Sequence, residues 1–117
     1  MVKVFTTSRY SVPTKALKAF AQAFLERRNA GEVLVNLIFV GKRKMREVAS
    51  TYKHEDVALP VLAFPFHESQ SSDSDQPLLG EVYLCYPQIV LLAAEKDKTV
   101  QAMLEQLIEH GVGNILQ

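Results

Sequence analysis

A chain of 117 residues, 48% hydrophobic and 22% charged, has the make-up of one globular domain, and wholesale disorder is excluded. Thirteen Lys and Arg balance thirteen Asp and Glu, so no global positive field holds a nucleic acid, and any RNA contact must come from a local patch. Cys85 is the one cysteine, which excludes an intrachain disulfide and a multi-cysteine zinc site. The start, Val2 to Thr6, lacks the apolar core of a signal peptide, and no later run is long enough to span a membrane. A soluble, cytoplasmic protein without a membrane or disulfide partner is the expectation.

Val2 to Thr6 alternates apolar and polar residues and predicts a short strand. Ser11 and Thr14 offer N-caps around Pro13, and Leu17, Phe20, Ala21, Phe24 and Leu25 then share one helical face. Arg27 and Arg28 suit the end of that helix, and Gly31 is the expected stop. Val33 to Val40, broken only by Asn36, predicts an interior strand covered on both faces. After Gly41, Lys42 to Tyr52 predicts a short helix burying Met45, Val48, Ala49 and Tyr52. Pro60 and Pro65 leave room for a short strand at an edge or bulge. The polar run from His67 to Pro77 predicts a mobile loop. A strand over Leu78 to Cys85 follows, then a helix opened by Pro87. A last helix capped by Asp97 buries Val100, Met103, Leu104, Leu107 and Ile108. The order βαβαββαα predicts an α+β domain with a small mixed sheet packed against helices.

His110 and Asn114 stand four apart near the C-terminal end of that last helix, so both can point into one site. Two histidines at this spacing would reach one metal ion, whereas Asn is a poor zinc ligand. Lys42, Arg43, Lys44 and Arg46 form a basic cluster able to touch phosphates, at a helix start where positive charge opposes the dipole. Other groups carry weaker signals. His67, Glu68, Asp73 and Asp75 are metal-capable types on the polar loop. Cys85 ends an apolar strand and reads as a buried small hydrophobe. His54 sits in a charged turn without a partner motif.

Four stretches taken together carry a resemblance: Tyr52-Lys53, Val61-Leu62-Ala63-Phe64-Pro65, Leu79-Gly80-Glu81 leading into a strand that ends at Cys85, and His110-Gly111. Their order and spacing resemble the YbeY-type rRNA maturation endoribonucleases. In that family a Tyr-Arg segment leads into a strand ending Val-Leu-Ser-Phe-Pro. A polar loop, Leu-Gly-Asp/Glu, a strand ending in Cys and a helix bearing His-Gly-x-Leu-His then follow. The resemblance covers Glu32 to the C-terminus and implies one YbeY-like domain over residues 1–117 that lacks the family's usual C-terminal end.

The resemblance implies a metal-dependent single-strand endoribonuclease acting in rRNA processing, with rRNA or the small ribosomal subunit as partner. In such a site a zinc-activated water attacks a phosphodiester while a basic residue, here Lys53, steadies phosphate charge. Of the family's three histidine ligands this chain keeps His110; Asn114 stands at the second position and the third lies beyond Gln117. Gly113 replaces an apolar residue and weakens the helix by roughly 1 kcal/mol relative to Ala. Lys53 keeps the charge of the family's Arg and loses its bidentate fork. Leu59, Pro60 and Ala63 replace polar cleft positions. Weak or absent zinc and impaired catalysis are therefore expected, with two alternatives: a noncatalytic RNA- or ribosome-associated adaptor, or a truncated product of an active enzyme.

Overall fold

The elements form where the apolar periodicity places them, in the order βαβαββαα. The computed structural model describes residues 1–66 and 78–117; the loop expected over 67–77, with its candidate ligands, lies outside the described residues. Strand β1 spans Val2–Phe5 and α1 spans Thr14–Arg27. Helix α1 buries Leu17, Ala21, Phe24 and Leu25, with Phe20 at the margin. Its N-cap is Pro13, with no side-chain cap bond, so Ser11 and Thr14 do not serve as caps. Its stop also differs from expectation. Asn29 adopts the left-handed conformation at φ 59°, which an Asn side chain tolerates, and Ala30 N–H donates to the Leu25 carbonyl at 2.8 Å. The chain has already turned when it reaches Gly31, whose carbonyl instead accepts from the Gln22 amide at 3.0 Å and the Met1 ammonium at 3.1 Å.

Strand β2 is Leu34–Val40, α2 is Lys42–Lys53, β3 is Val61–Pro65 and β4 is Leu78–Cys85. The sheet order is β1-β2-β4-β3. β1, β2 and β4 run parallel, and β3 closes one edge antiparallel to β4, as its flanking prolines require. The register aligns Val4 with Leu37, Leu37 with Val82 and Val82 with Ala63. On that face lies the larger core, where Val35, Leu37, Phe39, Val82 and Leu84 meet side chains of α1, α3 (Tyr86–Glu95) and α4 (Val100–Ile115). The opposite face is covered by α2, through Met45, Val48 and Ala49 against Val40, Leu62 and Cys85, with Ala58 and Leu59 beside them. β2 is therefore interior, but its second face is covered mainly toward the carboxyl end, and Asn36 and Ile38 are only half-buried. Tyr52, expected in the core, is 65% exposed. It lies beyond the part of the helix that reaches the sheet, and its ring packs edge-on against Phe64 with centroids 5.0 Å apart, leaving the phenol in solvent.

Asp97 is left-handed at φ 55° and closes α3, so it cannot take the extended conformation of an N-cap. Thr99 caps α4 instead, its hydroxyl accepting from Ala102 N–H at 3.0 Å. Thr99→Ala is expected to cost about 1 kcal/mol and lower the melting temperature by about 4 °C, whereas Thr99→Ser keeps the acceptor and the stability. Thermal unfolding by circular dichroism checks this; equal melting points for the alanine and serine variants would show that the cap contributes nothing.

Candidate functional site

Helix α4 turns Leu107, Ile108, Gly111, Val112 and Ile115 inward, which leaves His110 and Asn114 one turn apart on its exposed side. Gly111 sets the depth of this helix: a Cβ there would lie 2.8 Å from Val82 Cγ1 and 3.5 Å from Val61 Cγ2, so the backbone rests directly on β4 and β3. The structure brings His110 and Asn114 together as their spacing predicts, with Asn114 Nδ2 3.4 Å from His110 Nε2. Which group of the pair donates follows from the tautomer of the imidazole. Beside them Glu109 meets Arg27 at 3.9 Å.

Among the described residues, His110 and Asn114 by themselves fall short of a zinc site. A protein zinc site uses at least three ligands, and among the described residues no three His, Cys, Asp or Glu side chains lie together.

Lys53 and His54 stand exposed at the end of α2. That helix covers the sheet face opposite α4, and among the described residues no hydrogen bond or ion pair links Lys53 to His110. His54 takes the left-handed C-cap position at φ 58° and donates its backbone N–H to the Ala49 carbonyl, a local structural duty. Lys42, Arg43, Lys44 and Arg46 are all exposed on the first turns of α2. Lys44 approaches Glu47 at 4.0 Å. Arg43 and Arg46 line a cavity of about 330 Å³ that also holds Glu47 and Asp56, so acids temper that part of the cluster. Cys85 is fully buried; burial pushes its thiol above the ordinary value, against smaller lowering effects of a backbone hydrogen bond at Gln88 and the charge of Lys42. A thiol in that setting is no nucleophile.

Two arrangements were not read from the sequence. Tyr52, Phe64 and Tyr83 form an edge-to-face aromatic series, with centroid separations of 5.0 and 5.7 Å. Burial, then the Glu81 carboxylate and Tyr52, raise the Tyr83 phenol above its ordinary value. The loop Thr7 to Tyr10 closes a cavity against Gly41; the one signal for it was the absence of any acid before Glu26.

Comparison with known proteins places this geometry. Residues 4–116 match the family described as Endoribonuclease YbeY. An Endoribonuclease YbeY of Pseudomonas putida (strain W619) is 36% identical over 102 residues, covering 86% of this chain and 63% of its own length. One from Nitrosococcus oceani is 29% identical over 114 residues, covering 96% of this chain and 73% of the relative. The chain thus spans less than two thirds of the Pseudomonas putida relative. The solution structure of TM1509 from Thermotoga maritima has the same fold, with a TM-score of 0.70 at 23% identity, over 100% of this chain and 73% of that one. With a matched span running from β1 to the residue after α4, the chain belongs to the Endoribonuclease YbeY family.

Proposed function

We propose that this protein acts in rRNA maturation, binding single-stranded rRNA of the small ribosomal subunit in the cytoplasm, with an impaired capacity to cleave it. The observation that carries the reading is the pairing of His110 with Asn114, at 3.4 Å, where the family's motif has a second imidazole. A zinc ion supplies Lewis acidity and an activated water in such enzymes, and the described residues do not assemble its ligands. What they retain is the capacity to hold RNA. Lys42, Arg43, Lys44 and Arg46 are exposed together, and Lys53 adds charge at the far end of the same helix. Such contacts position a phosphate backbone without reading its sequence. Among the described residues, no helix is long and apolar enough to cross a membrane.

Binding and cleavage of an end-labelled rRNA fragment, followed across salt concentrations with zinc or with a chelator, test the reading. Affinity is expected to fall steeply with salt. Replacing Lys42, Arg43 and Lys44 by Ala is expected to flatten the logarithmic salt slope by about 2. His110→Ala leaves that slope unchanged, and cleavage stays near background with or without zinc. Efficient zinc-dependent cleavage abolished by His110→Ala would overturn the impairment, and absence of binding at low salt would overturn the RNA reading itself.

A further inference from the structure

The net charge of zero conceals a division of the chain. Residues 1–46 hold ten of the thirteen Lys and Arg but only two acids, Glu26 and Glu32. Residues 47–117 hold eleven acids and three cations, Lys53, Lys96 and Lys98. The halves therefore carry eight net positive and eight net negative charges. Among the described residues, β1, α1 and the start of α2, with the turns that join them, hold the ten cations, while β4, α3 and α4 hold the acids Glu81, Glu95, Glu105 and Glu109. A polyanion approaching the molecule is drawn to the cations of the N-terminal part of the chain.

A cavity of about 360 Å³ opens in this N-terminal part, beyond the carboxyl ends of β1 and β2, lined by Thr7, Ser8, Arg9, Tyr10, Phe39 and Gly41 among others. Its volume lies within the range of small-ligand sites. Among the described residues no acid lines it, in contrast to the cavity on α2 that contains Glu47 and Asp56. Its aromatic wall is braced. The Tyr10 ring stacks on Tyr86 with centroids 5.2 Å apart and planes at 28°, and Tyr86 meets Phe39 edge-on at 6.5 Å. Arg9 is exposed at the mouth, and Lys42 and Arg43 follow Gly41 directly. A cationic fork, a hydroxyl from Ser8 and a fixed aromatic ring are the groups that a nucleotide unit requires: charge for its phosphate and a flat apolar surface for its base or sugar.

We propose that this cavity seats one nucleotide of a single-stranded RNA, with Arg9 and Ser8 on the phosphate and Tyr10 against the base or sugar, and that the strand continues over Lys42 and Arg43. The proposal rests on the rRNA-binding reading above and assigns the strand an entry point away from His110, on the other side of the β2–β4 seam.

A twelve-nucleotide oligouridine RNA, titrated into the isotope-labelled full chain, tests it by NMR and by fluorescence anisotropy. Amide signals of Thr7 to Tyr10 and Gly41 to Lys44 are expected to shift, while those of His110 and Asn114 stay in place. Arg9→Ala is expected to weaken binding about tenfold and Arg9→Lys to recover part of it, with both variants retaining the wild-type amide spectrum elsewhere. The double replacement of Lys96 and Lys98 by Ala, in the C-terminal part of the chain, leaves affinity within twofold. Inorganic phosphate at matched ionic strength is expected to displace the RNA no better than chloride does. RNA that binds normally to Arg9→Ala, or shifts confined to residues near His110, would overturn the cavity assignment and leave the rRNA reading standing. Stronger displacement by phosphate than by chloride would make this a free-phosphate site and overturn the strand assignment. An RNA that does not bind the wild-type chain at all would sink both.

Discussion

Gly111→Val is expected to destabilise the protein by about 3 kcal/mol and to lower its melting temperature by roughly 10 °C. The first added carbon already falls 2.8 Å from Val82 Cγ1 and 3.3 Å from its Cγ2, inside normal van der Waals contact. Val82 cannot give way, because it is fully buried on β4 between β2 and β3. Two further methyl groups must therefore push α4 off the sheet and open the contact that Leu104, Ile108 and Val112 make with the core. Gly113, two residues on, provides the internal control. A Cβ there meets only Phe24 Cζ at 4.0 Å, so Gly113→Ala is expected to stabilise by up to about 1 kcal/mol through helix propensity. Thermal or urea unfolding of both variants decides the matter, and similar shifts at the two positions would show that close approach at Gly111 is not what limits the fold.

Asn114→His is expected to raise zinc affinity at least tenfold, a change of about 1.4 kcal/mol. The substitution places two imidazoles one helical turn apart on one face, a spacing suited to a shared ion, and it replaces the amide that now lies 3.4 Å from His110 Nε2. Position 114 is exposed, so folding stability should not change. Competition against a chromogenic chelator gives the affinity. The gain should diminish in acid, because protons compete with the metal for each imidazole. An unchanged affinity, or an equal gain for Asn114→Ala, would mean that the second imidazole does not share the ion with His110.

The order of elements was legible because each helix carries its own apolar stripe and each break its own Pro or Gly, all local signals. The punctuation was less so. Gly31 and Asp97 were the chemically reasonable stop and cap, yet the chain turns at Asn29 and starts α4 from Thr99. In both cases the choice depends on which residue is already left-handed, something composition does not reveal. Tyr52 fits the periodic stripe of α2 but projects past the part of the helix that the sheet supports. His110 and Asn114 were legible as a pair because one helix holds both. Where Lys53 stands relative to them depends on which face of the sheet α2 covers, which no local pattern encodes. The Tyr10 cavity was invisible for a similar reason. Its walls come from β1's following loop and β2's end, brought together by parallel pairing across a seam in which Val2 meets Val35.

The two outer strands have a consequence for self-association. An edge strand offers its free amides and carbonyls to any neighbouring chain. β3 is five residues long, ends at Pro65, which has no amide hydrogen to give, and follows Pro60, whose carbonyl is already engaged by Cys85 N–H at 2.9 Å. β1 is four residues long, carries Lys3, and has its start tied down by the Met1 ammonium bonded to the Gly31 and Val33 carbonyls. Among the described residues neither margin presents a long, flat template, so the sheet resists growth by strand addition from a second copy.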